Sequence, residues 1–141
     1  MKARTVRLEK NDVLCHEGDV ESDLYFIESG ELLVCVRKQS QVTAVAQLGA
    51  GEYIGELSFF DSLPRGADIV ALTDCTLIKL DAQEVRELLP SWLMHLGRAM
   101  AQKLRLHDDV IRQRGIKRAN VETIRPLSIE EQAHYYKLLA K

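Results

Sequence analysis

The residues with the clearest chemistry lie in one short connection between apolar segments. Gly55-Glu56-Leu57 opens this connection and Arg65-Gly66-Ala67 closes it. A glycine lets backbone N–H groups approach a ligand, the start of a helical turn favours negative charge, and an arginine offers a bidentate fork for phosphate. Glu56 would repel a phosphate, but its carboxylate can accept hydrogen bonds from a neighbouring sugar hydroxyl. Phosphate beside a sugar hydroxyl indicates a nucleotide.

The elements that must position this connection are short β-strands. Apolar and polar residues alternate between turn-forming groups such as Lys10-Asn11-Asp12 and Ser29-Gly30. The pattern predicts strands at residues 6–8, 13–15, 24–28, 31–37, 43–48, 69–72 and 76–80. Many short strands with regular turns are typical of a β-sandwich or β-roll.

Helices are predicted after the last strand. Asp81 is a suitable N-cap and Glu84 completes a capping box, which predicts a short helix over residues 82–89. Pro90 interrupts it, and a longer helix should cover residues 92–113. The predicted fold class is therefore α+β: an antiparallel, jelly-roll-like β-roll followed by a short helix, a long helix and a short C-terminal helix.

The long helix carries two adjacent apolar lines. The first repeats at alternating intervals of four and three, the spacing of a coiled-coil seam: Leu93, Gly97, Met100, Leu104, His107 and Ile111. The second consists of Trp92, Leu96, Ala99, Leu106 and Val110. A helix that packs on one partner needs one such line, so two lines predict a homodimer. The alternative is one wide face packed within the same molecule.

The combined pattern resembles the cyclic-nucleotide-binding domain shared by bacterial cAMP receptor proteins, kinase regulatory subunits and cyclic-nucleotide-gated channels. The phosphate cassette of that family reads Gly-Glu-Leu, a short helical turn and then Arg-(small or Ser/Thr)-Ala, as residues 55–67 do here. Two upstream segments, residues 17–31 and 48–53, also match the family's turns and strands. The resemblance spans residues 5–113.

The resemblance implies a set of ligand-binding residues: Gly55, Glu56, Leu57, Ser58, Arg65, Gly66, Ala67, His107 and Asp108. Arg65 would bind the phosphate and Glu56 the sugar. Gly66 replaces the usual serine or threonine, and the loss of that hydroxyl favours cAMP over cGMP, while Ser58 offers a hydroxyl nearby. His107 and Asp108 replace the small hydroxyl pair that contacts the purine from both subunits in cAMP receptor proteins.

Composition excludes several other classes. The 141 residues, 46% hydrophobic and 28% charged, fit one globular domain. A net charge of −2 disfavours a nucleic-acid or membrane surface partner, and with no apolar run long enough for a membrane span it predicts a cytoplasmic protein. Three widely spaced cysteines, Cys15, Cys35 and Cys75, are predicted to be reduced core residues.

An enzyme and a transcription factor are both disfavoured. Only His16 lies in the β part, too few histidines for a cupin-type metal site, and no serine or cysteine has an arguable histidine partner. We therefore expect no catalysis, no metal and no cofactor. Residues 1–113 form the predicted binding domain, and residues 114–141 form a basic hinge and a short helix capped by Ser128 and Glu131, too short for a DNA-binding domain.

The sequence thus predicts a non-catalytic cyclic-nucleotide receptor, with cAMP as the favoured ligand and movement of the C-terminal helices as its signal to a partner protein. One alternative is a ligand-free β-roll that serves dimerisation or scaffolding. Another is a sensor for cGMP or for a cyclic dinucleotide such as cyclic GMP-AMP.

Overall fold

A computed structural model describes residues 2–114 and 128–139, with backbone alone at residues 107–114, 135 and 139. Its elements in chain order are β1 (Ala3–Leu8), β2 (Val13–Cys15), β3 (Leu24–Ser29), β4 (Leu32–Lys38), β5 (Gln41–Leu48), β6 (Tyr53–Ile54), α1 (Glu56–Asp61), β7 (Asp68–Ala71), β8 (Cys75–Leu80), α2 (Ala82–Leu88), α3 (Ser91–Arg114) and α4 (Ile129–Leu139). The predicted basic hinge falls largely outside the described residues.

The strands form two four-stranded antiparallel sheets, in the orders β1-β8-β3-β6 and β2-β7-β4-β5. Side chains from both sheets meet in one core, where Ile27, Leu32 and Leu77 are fully buried. Alternate residues of each strand supply this core because successive side chains point to opposite faces. The predicted α+β fold with an antiparallel β-roll is confirmed.

Every predicted strand is present, with ends displaced by up to three residues. The sequence pattern did not reveal β6, because a strand of two residues has no periodicity to detect. Gly30 forms the predicted turn between β3 and β4 with φ of 96°. A Cβ atom there would lie 2.5 Å from the carbonyl oxygen of Asp74, so the site accepts only glycine.

Of the two hydrogen bonds in the capping box predicted for α2, the structure forms the one accepted by Asp81. The Asp81 carboxylate accepts a hydrogen bond from the Glu84 backbone N–H at 3.0 Å. The Glu84 carboxylate instead accepts one from the backbone N–H of Lys2, which ties α2 to the start of β1. The helix ends one residue earlier than predicted, because Leu89 precedes Pro90 and is extended.

The capping box of the C-terminal helix is reciprocal, as predicted. The hydroxyl of Ser128 accepts a hydrogen bond from the backbone N–H of Glu131, and the Glu131 carboxylate accepts one from the backbone N–H of Ser128. The helix that follows, α4, ends at Leu139.

The long helix α3 packs against α1 at Gly97. A Cβ atom at that position would overlap the ring of Phe60, so the glycine sets how closely the two helices approach. The apolar lines divide differently from the prediction. Leu93, Gly97 and Ala101 face the domain at intervals of four, whereas Trp92, Leu96, Met100 and Leu104 are 67%, 50%, 56% and 48% exposed. No helix in the described residues is long and apolar enough to cross a membrane.

Candidate functional site

A cavity of about 290 Å³ opens between the sheet that contains β4 and β5 and the helices α1 and α3. Seven predicted ligand residues line it: Gly55, Glu56, Leu57, Ser58, Arg65, Gly66 and Ala67. The rest of the lining is apolar and comes from Cys15, Val34, Val45, Ala46, Leu48, Ile54, Ile69 and, on α3, Leu104. Its volume is near the lower end of the usual range for small-ligand pockets. The side chains of His107 and Asp108 lie outside the described residues.

Arg65 is the buried charged residue of this lining, and it is only 5% exposed. Its Nη1 donates to the carbonyl oxygen of Gly55 at 3.1 Å, and its Nη2 donates to that of Asp23 at 2.7 Å. The remaining nitrogen, Nε, is buried and has no hydrogen-bond partner among the described residues. Burying a guanidinium donor without a partner is costly, so this N–H is suited to an anionic ligand.

The backbone of Arg65, like its side chain, makes two hydrogen bonds. Its carbonyl accepts a hydrogen bond from the N–H of Gly18 at 2.7 Å, and its own N–H donates to the carbonyl of Asp19 at 2.9 Å. The turn at residues 17–19, predicted from the family resemblance, therefore positions the arginine. The Arg65 guanidinium also lies 3.9 Å from the carboxylate of Glu21, which offsets part of its charge.

Gly55 lets the arginine approach the backbone of the connection. Its φ is 87°, a left-handed conformation that residues with a Cβ rarely adopt. A Cβ there would overlap Arg65 Nη1 and would lie 2.7 Å from the carbonyl oxygen of Asp23. The glycine is thus required both by the turn and by the packing of the guanidinium.

Glu56 and Ser58 lie on α1, directly after this glycine. Glu56 is in the first turn of α1, exposed, at the wall of the cavity. Ser58 is 2% exposed, and its hydroxyl accepts a hydrogen bond from Arg105 Nη2 at 3.3 Å. The Ser58 hydroxyl is therefore engaged with α3 in this structure.

Arg105 was not among the predicted site residues. It projects from α3 and donates to both carboxylate oxygens of Asp61, from Nε at 2.5 Å and from Nη2 at 3.1 Å. Burial alone would raise the pKa of Asp61, but the Arg105 hydrogen bonds, with the Leu63 N–H, hold this pKa below its usual value. The sequence did carry a signal, because Arg105 follows Leu93, Gly97 and Ala101 at the next interval of four on the inward face.

Arg86 was also missed. From α2, its Nε and Nη2 donate to the carbonyl oxygen of Phe59 at 3.0 and 2.6 Å, and Nη2 also reaches that of Ser58 at 3.4 Å. Its guanidinium lies 5.3 Å from the centre of the Phe59 ring. A cation at the carboxyl end of a helix satisfies carbonyls that lack a partner within the helix. Arg86 therefore fixes the end of α1 against α2.

Asp68 anchors the other end of the connection. Its buried carboxylate accepts two hydrogen bonds from Arg37, at 2.6 and 3.1 Å, and one from the backbone N–H of Glu17 at 2.9 Å. The Arg37 hydrogen bonds are the main reason that the pKa of Asp68 lies below its usual value. The residues between α1 and Asp68 are thus fixed at both ends.

Cys15 forms part of the apolar wall. Burial raises the pKa of its thiol to about 11, although the nearby Arg65 acts in the opposite direction. At neutral pH this thiol is therefore protonated and unreactive. All three cysteines are buried and free, as predicted.

The fold and the site together define a β-roll protein with a small, partly apolar pocket that the buried cation of Arg65 helps to line, suited to a compact anionic ligand. The chain belongs to the cyclic nucleotide-binding domain family, whose model matches residues 5–91.

Among related proteins, the chain is 37% identical over 67 residues to a cAMP-dependent protein kinase regulatory subunit from Mucor circinelloides f. lusitanicus, covering 48% of this chain and 16% of that protein. It is 30% identical over 117 residues to Lysophospholipase NTE1 from Chaetomium globosum, covering 79% of this chain and 8% of that one. The chain thus spans less than a fifth of either relative.

Among solved structures, it resembles the cAMP-bound form of the EAL enzyme Bd1971, with a TM-score of 0.67 and 30% identity over 72% of this chain and 28% of that one. It also resembles the N-terminal domain of a transcriptional regulator from Streptomyces coelicolor A3(2), with a TM-score of 0.58, 30% identity and coverage of 77% and 79%.

Proposed function

We propose that this chain is a non-catalytic receptor for a cyclic nucleotide and that its preferred ligand is cAMP. The observation that carries the proposal is the buried Arg65, whose Nε has no hydrogen-bond partner among the described residues while the residue lines the cavity. A cyclic phosphate would supply the missing acceptor and a negative charge. Family membership and the related kinase subunits support a cyclic nucleotide as the source of that phosphate.

The remaining cavity residues take roles that follow from their chemistry. Glu56, at the cavity wall, accepts hydrogen bonds from the ribose hydroxyl, a contact that should contribute roughly 1.5–3 kcal/mol. Gly55, Leu57, Gly66 and Ala67 shape the wall around the phosphate and sugar. Val45, Leu48 and Leu104 offer apolar surface to the purine. His107 and Asp108 are proposed to approach the base from the end of α3.

A preference for cAMP over cGMP rests on Gly66. This position has no hydroxyl, and in the channel-type members of the family a threonine there helps to favour cGMP. The Mucor relative is a cAMP-dependent kinase subunit, whereas the EAL enzyme Bd1971 has been solved with cAMP and with cGMP. The preference over cGMP should therefore be moderate.

Isothermal titration calorimetry with cAMP, cGMP and cyclic GMP-AMP tests the proposal directly. We expect cAMP to bind at micromolar concentration or below and most tightly of the three. Arg65→Gln and Glu56→Gln should each weaken cAMP binding, by at least about a hundredfold and about tenfold respectively. Arg7→Gln is the matched control, because Arg7 is an exposed arginine on β1.

Two outcomes would contradict the proposal. If no nucleotide binds to the wild-type chain, the scaffolding alternative replaces it. If cAMP binds but Arg65→Gln binds equally well, the site assignment is wrong. Circular dichroism of each variant must accompany the titrations, because Arg65 also donates to two backbone carbonyls and we expect its loss to destabilise the fold.

We further propose that the receptor is a homodimer through α3. Trp92, Leu96, Met100 and Leu104 form a continuous ridge at intervals of four, and about half or more of each side chain is exposed. Burying such a ridge against a second copy would remove considerable apolar surface from water. Sedimentation velocity should show a dimer for the wild type and a monomer for Leu96→Lys with Met100→Lys. A monomeric wild type at micromolar concentration would contradict this proposal.

Signalling to a partner protein is proposed to follow from the contacts of α1. Arg86 joins α1 to α2, and Arg105 joins it to α3. A ligand that moves the cassette thus changes contacts with both helices.

A further inference from the structure

Gly66 does not have the left-handed backbone that would require a glycine. Four glycines in the described residues have positive φ, Gly18, Gly30, Gly51 and Gly55, and Gly66 is not one of them. The atom that a Cβ at position 66 would meet within 4 Å is Nη1 of Arg105, at 3.1 Å. The absence of a side chain at position 66 therefore makes room for the guanidinium of Arg105.

This position brings a second guanidinium next to two residues of the cavity lining, Ser58 and Gly66. Arg105 lies beside Gly66 and donates to Ser58, and both of these residues line the cavity with Arg65. Its side chain is 17% exposed. The carboxylate of Asp61 holds the Nε and Nη2 edge of the guanidinium, which leaves the Nη1 side turned toward Gly66.

We propose that Arg105 is a ligand-binding residue that, together with Gly66, recognises the anionic edge of the nucleotide. This inference rests on the proposed function. Arg65 would hold the phosphate from within the cassette and Arg105 from α3. Because Arg105 belongs to α3, its attraction to the ligand charge would change the position that this helix prefers.

A purely structural role is the rival explanation, since the ion pair with Asp61 also joins α3 to α1. The two roles predict different results for the two halves of the pair. Arg105→Gln removes the charge that would face the ligand. Asp61→Asn weakens the same helix–helix contact but leaves Arg105 positive and removes a negative charge from its neighbourhood.

The test is the affinity for cAMP of the wild type, Arg105→Gln, Asp61→Asn and the control Arg98→Gln, an exposed arginine on the same helix. We expect Arg105→Gln to bind about tenfold to a hundredfold more weakly, Asp61→Asn to bind at least as tightly as wild type, and Arg98→Gln to be unchanged. Equal losses in Arg105→Gln and Asp61→Asn, or no loss in Arg105→Gln, would overturn the inference.

A double-mutant cycle tests the pairing with Gly66. Gly66→Ala should weaken cAMP binding in the wild-type background, because the new methyl group displaces Nη1. In the Arg105→Gln background it should have little further effect. Equal effects in both backgrounds would refute the pairing. If Arg105→Gln does not fold, Arg105→Lys is the substitute, because it keeps the positive charge but lacks the planar, two-donor guanidinium. It should bind cAMP with an affinity between those expected for wild type and Arg105→Gln. An affinity equal to that of wild type would contradict the inference.

Failure of this inference is distinct from failure of the proposed function. If the wild type binds none of the nucleotides, the receptor assignment itself is wrong. If the wild type binds cAMP and the Arg105 variants bind equally well, only the role of Arg105 is wrong.

Discussion

The contact between Gly55 and Arg65 predicts that Gly55→Ala damages both the fold and the site. An alanine in the left-handed conformation at this position is unfavourable, but it also lowers the entropy of the unfolded chain, which offsets part of that cost. The net destabilisation is about 1 kcal/mol. The new methyl group would also displace the guanidinium, which donates to the carbonyls of Gly55 and Asp23. Losing one such bond to a charged group adds about 1.5–3 kcal/mol, for a total of about 2.5–4 kcal/mol.

Gly51→Ala is a close control for this prediction. Gly51 has φ of 91°, similar to that of Gly55, but a Cβ there would meet no described atom within 4 Å. It should therefore lose only about 1 kcal/mol for the left-handed backbone. Urea denaturation followed by far-ultraviolet circular dichroism gives both free energies, with equal m-values as a check on the comparison.

Nucleotide binding should separate the two variants further. Gly55→Ala moves the arginine that the proposed function assigns to the phosphate, so its affinity for cAMP should fall at least about a hundredfold. Gly51→Ala should bind within about twofold of wild type. If the two variants lose the same stability and the same affinity, the close approach of Arg65 to Gly55 has no energetic role and the reasoning is refuted.

Two further predictions concern charged groups at the two ends of the connection that contains α1. The pKa values of Asp61 and Asp68 are lowered in the folded state, so their stabilisation is fully present above the unfolded value of 3.8 and is lost as pH falls through the folded values. Urea denaturation across acidic pH should show a smaller loss of the free energy of unfolding for Asp68→Asn than for wild type. If this free energy falls equally steeply with decreasing pH in both proteins, the assignment is contradicted. Arg86→Gln should cost about 1.5–3 kcal/mol because it frees the carbonyl of Phe59, whereas Arg98→Gln should cost almost nothing.

The fold and the cassette could be predicted because their signals are local. Strands, turns and caps depend on neighbouring residues, and the cassette residues 55–67 are nearly contiguous. The seven cassette residues predicted from the sequence all line one cavity. The turn at residues 17–19 was also identified, and it holds the backbone of Arg65 through two hydrogen bonds.

Contacts between residues far apart in the chain could not be predicted in the same way. Arg105 meets Asp61 and Arg86 meets Phe59 across 44 and 27 positions of the chain, so no local pattern records either pair. The apolar lines of α3 were divided wrongly for a related reason. A rhythm of four and three was assumed, whereas the face that packs on the domain repeats every four residues through Leu93, Gly97 and Ala101.

The position of α1 explains how a small pocket could control two helices. This helix has six residues and is held by two arginines from different elements. Arg86 of α2 donates to its carbonyls, and Arg105 of α3 donates to Asp61. A shift of α1 must either carry both arginines with it or break charge-assisted hydrogen bonds. A ligand can change the balance between such arrangements only by the difference in its affinity for them. Arg65 in the cassette and Arg105 on α3 are where we expect that difference to arise.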